Sequence, residues 1–446
     1  MTNSIGLPIL MSYLIPVGFF LLGWGGMEPE RARRAAIQGL VALALATVGY
    51  FAVGFAFHLG GAAVFWSRPG LEGLEYIWSP LDRVRGLGWG MIGLAGFFLS
   101  GEAEHPFRLT LFATYLPMAA TAALLPVLSL SGRTRGIWGL LTGLLTGALL
   151  FPLAACWTWG GGWLASLGKT LERGHGTVDF AGSGVVYLLG GFIALGGLVA
   201  LGRKPPSEGP AEMPPAHFPL LANLGVLLLL VGWLGWALGA PLHTEGARLE
   251  AGRTAVNGLL AMAGATLTVL FYCWLTVGLG DPLMVARGVA GGLVAVSAGA
   301  PFISPWAALV IGGVAGLLVP LSVYLVDRLL RLADEAAAVA TAALPGLWGL
   351  LAVALFADGH WGQGWNGVGP EVYRTIIGQG VSGFVVARGF IGDGPGQLIA
   401  QVVGLVAIGV LGFSGGYLAL LPNRLRRRLL KKSDFHPAGE HPWVGQ

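Results

Sequence analysis

The sequence predicts an all-α integral membrane protein with eleven transmembrane helices. Three observations carry this reading: too few charges to cover a soluble surface, eleven apolar runs of bilayer length, and basic residues biased toward alternate loops. Of 446 residues, 55% are hydrophobic and only 11% charged, whereas a soluble domain carries about 25% charged residues. Such a chain cannot surround itself with polar side chains, so lipid must cover it. The 75 glycines would weaken soluble helices, but in a membrane small residues let helices approach closely. The 16 tryptophans suit interfacial belts and aromatic pore linings.

A spanning helix needs about 20 mostly apolar residues. Runs of that kind cover 6–26, 35–57, 109–131, 136–156, 180–201, 218–240, 255–279, 283–300, 306–328, 336–357 and 396–421. The stretch 86–100 is apolar but short and broken by glycine. It reads as a re-entrant or interfacial piece. Met1–Leu10 lacks a basic n-region, so the first apolar run is expected to be retained as a helix.

Charge placement tests this count. With odd loops and the C-terminal tail inside, 16 of the 26 Lys and Arg residues are cytoplasmic, and 10 are spread over much longer outer loops. The positive-inside rule expects this bias. Its strongest element is the run Arg424, Arg426, Arg427, Arg428, Lys431 and Lys432. The orientation expected is N-terminus outside and C-terminus cytoplasmic, in the cell (inner) membrane. The organisation expected is a membrane domain over 1–422 and a basic tail over 423–446. A further span at 86–100 would reverse every later loop and erase the bias.

Composition and motif content exclude several classes. Cys156 and Cys273 lie in apolar segments and have no disulfide or zinc spacing. The net charge of +4 is not gathered on one face, so no nucleic-acid partner is expected. No nucleophile–base pair, phosphate loop or metal cluster stands out, so neither an enzyme nor a cofactor is expected.

Asp179 opens the fifth segment and Asp334 the tenth. An acidic residue at a helix N-terminus caps free N–H groups and complements the dipole. Five segments apart, the two enter the membrane from opposite sides, as in an inverted repeat whose interface holds a substrate path. Two ordinary caps would look the same.

The run WTWGGG (Trp157–Gly162) is followed, after an insertion, by DFAGSGVVYLLGG (Asp179–Gly191). With GWGGM at Gly23–Met27, GWLGWALGA at Gly232–Ala240, the run Gly291–Gly313, PGLWG at Pro345–Gly349 and FADGHWGQGWNGVG at Phe356–Gly369, this resembles the ammonium transporter family. The match runs from Gly23 to about Pro422. The resemblance implies inverted pseudo-twofold halves and a homotrimer with one pore per subunit. It implies that ammonium sheds water and a proton and crosses as ammonia. Carrying a bare cation through a dry pore is costly, and an outer aromatic box can hold the cation first, by about 0.5–2 kcal/mol of cation–π attraction.

Carried over by position, Trp159 falls on the family's external tryptophan and Asp179 on its essential aspartate. Trp236 falls on one gating phenylalanine and Met118 on the other. Ala240 stands where a serine usually bonds the external cation. These imply an external cation site of Trp159, Asp179, Trp236 and Ala240, with Met118, Trp236, Tyr187, Ala342, Ser297 and Arg287 lining the pore. The family's paired pore histidines are absent: Tyr187 and Ala342, each eight residues after its aspartate, stand in their places. All eight histidines lie in loops, tails or near segment ends, so no mid-membrane imidazole relay is expected. Arg287 stands near the inner exit, where it would repel a cation unless neutralised, with Asp334 and Glu335 as candidate partners; a guanidinium there can also snorkel to the interface. Asp179 fits either a structural cap or a substrate contact, and the tryptophans either pore or packing.

Three functions remain open. The chain passes ammonium or ammonia with an atypical pore; it is an ammonium-binding sensor or pseudo-transporter; or it conducts another small neutral solute. The tail is basic where the family carries an acidic, Gly-containing pattern, which speaks against a PII-type regulator as partner.

Overall fold

The computed structural model describes residues 6–81, 88–100, 105–134, 136–203, 217–367 and 378–433, with side chains of the last stretch through 426. The helices are α1 (Leu7–Trp24), α2 (Pro29–Phe65), α3 (Pro106–Leu130), α4 (Gly136–Thr158), α5 (Ser183–Leu201), α6 (His217–Leu238), α7 (Ala251–Val277), α8 (Pro282–Val296), α9 (Pro305–Leu329), α10 (Val339–Phe356) and α11 (Gly394–Ser433). Ten of these, all but α8, are long and apolar enough among the described residues to cross a bilayer. Each of the eleven predicted runs coincides with one helix.

The eighth is short for a physical reason. Residues 286–296 of α8 are buried, so this helix lies inside the bundle and stops at its middle. Beyond it the chain unwinds, which membrane depth tolerates only where backbone polar groups find protein partners. Here they do. Phe180 N–H donates to the Ala298 carbonyl and Ala181 N–H to that of Ser297. The Asn257 amide donates to the carbonyls of Ala300 and Ile303 at 2.7 and 2.8 Å.

The 86–100 piece adds no span. Its described part holds Ile92–Gly93, paired antiparallel with Ile77–Trp78, and a single 3-10 turn at Phe97–Leu99. The last helix runs on to Ser433, through the predicted start of the tail at 423; residues 434–446 lie outside the described residues.

Small residues set the helix spacing. A Cβ on Gly312 would fall 1.9 Å from the Ala261 carbonyl oxygen, and one on Gly264 would fall 2.3 Å from that of Leu309. Helices α7 and α9 therefore pack backbone against backbone. The outer faces stay apolar: Leu267, Phe271, Leu275 and Val277 on α7 are exposed, as a lipid-facing surface requires.

The two halves echo each other around the aspartates. Helix α5 begins with a π-helical turn, Ser183–Leu188, and α10 with another, Val339–Ala343. The Asp179 carboxylate accepts from the N–H groups of Gly182, Gly184 and Val185, and that of Asp334 accepts from Val339 N–H and the Ser129 hydroxyl. Twelve residues past each aspartate stand Gly191 and Gly346. A Cβ on Gly191 would strike Ala343 at 2.6 Å, and one on Gly346 would strike Leu188 N at 2.9 Å. The crossing of the two π-turned helices is reciprocal, as an inverted repeat demands.

Candidate functional site: an aromatic chamber beneath a vestibule

Three helix ends, the first half of a fourth helix and one loop build the site. The end of α2 carries His58, the first half of α3 Tyr115, the end of α4 Trp159, the end of α6 Trp236, and the turn Leu242–Thr244 carries His243. Trp236 and Tyr115 meet with ring centroids 5.7 Å apart, Trp159 and Trp236 at 5.7 Å, and Tyr115 and Trp159 at 6.0 Å. All five side chains are at most 5% exposed.

A vestibule of about 520 Å3 opens above them. Lys169, Ser166, Glu245, Asn366, Trp66 and His243 are among the residues that line it. The His243 ring lies flat on Trp159, with 4.7 Å between centroids and 8° between planes. Both its nitrogens are engaged. The Phe180 carbonyl can only accept, so Nε2–H donates to it at 2.9 Å, and the Tyr115 hydroxyl donates to Nδ1 at 3.0 Å. Burial pushes this imidazole down to about 3, although the Phe180 carbonyl pulls the other way. It is therefore neutral at pH 7, and bonds as a neutral ring.

Trp159 is held from behind as well. Its indole N–H donates to the Asp179 carbonyl at 2.6 Å. Asp179 is fully buried, and its hydrogen bonds run to backbone of its own segment. Burial raises its carboxyl to about 6, with those N–H groups opposing. Ser183 continues the brace, donating to the Val294 carbonyl and accepting from Ala298 N–H, each at 2.7 Å. Asp179 thus fixes the DFAGS turn, and the turn fixes Trp159.

The other positions carried over from the family spread along the bundle. Ala240 is exposed at the end of α6 with φ of 46°. Met118 is buried on α3, one turn below Tyr115, and the ring that meets Trp236 from that helix belongs to Tyr115. Deeper, the Tyr187 ring meets Phe19 at 5.6 Å, and Ala342 is buried in the facing π-helical turn. The Ser297 hydroxyl accepts from Trp233 Nε1 and donates to the Leu293 carbonyl.

At the far end, Arg287 is 7% exposed and donates to the backbone carbonyl of Glu335 at 3.0 Å. The Glu335 carboxylate pairs instead with Arg31, which also meets Glu28. Burial raises the Asp334 carboxyl; the Ser129 and backbone hydrogen bonds and the nearby Arg287 oppose that rise. Of the two expected partners, Glu335 reaches Arg287 through its main chain, and Asp334 acts by charge.

Sequence reasoning missed His58, Tyr115 and His243. Signals existed: His243 follows Ala240 by three residues, and Tyr115 precedes Met118 by three, one helical turn. Nothing in sequence order could show that the loop bearing His243 folds back over Trp159.

The sequence pattern of the Ammonium Transporter Family matches residues 7–432. Ammonium transporter Amt2 of Archaeoglobus fulgidus is 32% identical over 350 residues, which is 77% of this chain and 69% of that protein. Ammonium transporter 1 member 3 of Solanum lycopersicum is 28% identical, over 89% of this chain and 81% of its own. Among solved structures, one described as a sensor Amt protein superposes with a TM-score of 0.72 at 23% identity, covering 96% of this chain and 92% of its own. Candida albicans Mep2 gives 0.72 at 21% identity, covering 95% and 84%. These two carry the likeness of fold. With a family pattern that spans nearly the whole chain and a relative of this identity, the chain belongs to the ammonium transporter family.

Proposed function

We propose that this protein passes ammonium nitrogen across the cell membrane as ammonia, by a pore within each subunit of a homotrimer. In this reading the vestibule end faces outside and the basic end of α11 lies in the cytoplasm. The observation that carries it is the cluster of Trp159, Trp236 and Tyr115, joined to a polar vestibule through His243, which lines the vestibule and stacks on Trp159, in a chain of this family. Indole faces attract cations most strongly among aromatic rings. In this reading the path below them runs past Met118, Tyr187, Ala342 and Ser297, apolar and weakly polar side chains beside which a neutral solute costs far less than an ion. Glu245, bonded to Arg68 at 2.8 Å, places an acceptor at the entrance. The buried Arg287 guanidinium at the opposite end favours release of a neutral species over a cation.

The test is ammonium-evoked current and methylammonium uptake in proteoliposomes, with native mass spectrometry for the trimer. Saturable uptake that sodium and potassium do not elicit is expected. Ammonium binding with neither current nor uptake would refute the pore and leave a sensor.

A further inference from the structure

We propose that His58 is a ligand-binding residue of the aromatic chamber: its Nε2 hydrogen-bonds the ammonium or ammonia nitrogen that has passed the Trp159–His243 stack. The proposal rests on the ammonium reading above and adds an atom to it.

His58 stands near the end of α2, just before Gly60 and Gly61, and is 1% exposed. Its Nδ1 shares a hydrogen bond of 2.9 Å with the Tyr50 hydroxyl. Its Nε2 is buried and has no partner. The ring is walled by Tyr115, edge to face at 4.7 Å, by Phe151 at 6.0 Å, and by Trp159 at 6.5 Å. An imidazole nitrogen stranded among rings is expensive, since a buried polar atom without a partner loses the bonds it made to water. Such an atom marks either tolerated strain or a place for a guest. The same chamber holds a second buried polar atom without a partner, Trp236 Nε1.

The chemistry of this nitrogen matches one class of guest. The Tyr50–His58 hydrogen bond can run in either direction. When the hydroxyl donates to Nδ1, Nε2 carries the proton and donates to the lone pair of ammonia. When Nδ1–H donates to the hydroxyl, Nε2 is bare and accepts an N–H of ammonium. One side chain therefore meets both members of the acid–base pair. Sodium and potassium offer no N–H to a bare nitrogen and no lone pair to a protonated one. The surrounding rings attract a cation but leave it without directional bonds, so His58 supplies what they lack.

The companion imidazole cannot take this role. His243 has both nitrogens bonded, and its ring covers Trp159 from the vestibule side. The two histidines thus divide the work around Tyr115, which touches both. His243 roofs the chamber, and His58 offers the free nitrogen inside.

The experiment uses the full-length protein in detergent and in proteoliposomes. Tryptophan fluorescence is titrated with ammonium chloride against sodium chloride at equal ionic strength, and ammonium-evoked current is recorded in parallel. His58→Leu should raise the half-saturating ammonium concentration about tenfold, the worth of one hydrogen bond. His58→Gln, which keeps a polar group there, should stay closer to wild type. If His58→Leu does not insert, His58→Phe fills the ring's volume and carries the same expectation. Apolar variants that match the responding wild type in affinity and current would overturn the proposal, and His58 would then be a ring that only packs against Tyr115. A wild type that shows neither an ammonium-specific fluorescence change nor a current would instead overturn the ammonium reading itself.

Discussion

The His243 imidazole lies flat on the Trp159 indole, 4.7 Å between centroids, and Trp159 in turn donates to the backbone of Asp179. On the proposed reading, a cation arriving from the vestibule meets this stack first, because His243 lines the vestibule and covers Trp159. Because indole is the strongest cation–π partner, Trp159→Leu should weaken half-saturation by ammonium about tenfold, roughly 1.4 kcal/mol. Trp163→Leu removes a tryptophan that packs beside Trp157 and should leave that value unchanged. Equal effects of the two substitutions on uptake kinetics would show that Trp159 acts through packing alone.

Asp179 takes three backbone N–H groups at 2.8 to 3.1 Å. Removing its carboxylate leaves those donors buried, and an unmet buried donor costs about 1–3 kcal/mol. Asp179→Ala should therefore destabilise the protein by roughly 3 kcal/mol or more, visible as a lower Tm and poor insertion. Asp179→Asn keeps one acceptor oxygen and should cost less. An alanine variant with native Tm but no uptake would reverse the assignment and place Asp179 on the substrate.

The buried imidazoles make stability depend on pH. Burial lowers His243 to about 3, against the upward pull of the Phe180 carbonyl, while the unfolded chain would take that proton near 6.5. Below that value the unfolded state binds more protons than the native one. The stabilisation is complete above pH ~6.5 and is lost as pH falls toward 3, by about 1.4 kcal/mol per unit. His175, also lowered to about 3 by burial, adds the same sign. Asp179, raised to about 6 by burial, has the opposite one. The clean measurement is therefore a difference: the Tm advantage of wild type over His243→Gln should shrink from pH 7 to pH 5. A constant advantage would mean that His243 is not buried neutral.

Much of the fold could be read from apolar run lengths, because lipid imposes a length on each helix. The Asp179 and Asp334 spacing hinted at inverted halves but fitted two ordinary caps as well; the structure shows both carboxylates accepting from N–H groups of a π-helical turn. Two features escaped. Residues 88–100 are apolar yet carry a short strand, because Gly93 and Gly96 let the chain fold back against Ala56, Gly60 and Phe55. The histidines of the chamber lie near segment ends in sequence, and there they look solvated. Only the return of the 240–245 loop over Trp159 brings His243 to Tyr115, a contact across 128 residues. Position in the chain predicts depth in the membrane for helices, but not for loops that fold inward.

Arg287 places a buried guanidinium at the far end of the proposed path, bonded to a main-chain carbonyl rather than to a carboxylate. A like charge within a few ångströms repels a cation by several kcal/mol at intermediate polarity. Arg287→Gln should raise methylammonium uptake about tenfold if that repulsion limits passage. It should also admit potassium, measurable as a potassium-dependent current that wild type lacks. Unchanged uptake and selectivity would confine Arg287 to bracing the Glu335 turn.

Tyr187 and Ala342 decide whether a mid-membrane relay can be restored. They lie eight residues past their aspartates, in the two π-helical turns, at the positions that the resemblance assigns to the family's paired histidines. Tyrosine is larger than histidine and alanine smaller, so on the proposed mapping the pair exchanges bulk across one site. The tyrosine offers a hydroxyl with an ordinary pKa near 10, a poor proton relay at neutral pH, whereas imidazole titrates near 6.5. Tyr187→His combined with Ala342→His should therefore raise ammonium transport above wild type. Ala342→His alone should do worse, because Tyr187 is already 1% exposed and packed against Phe19, and overpacking costs about 1–3 kcal/mol. Uptake is compared after insertion of each variant is verified. A double variant slower than a fully active wild type would mean that proton handling is finished above Tyr187, in the outer chamber, and that the deeper path carries ammonia without imidazole help.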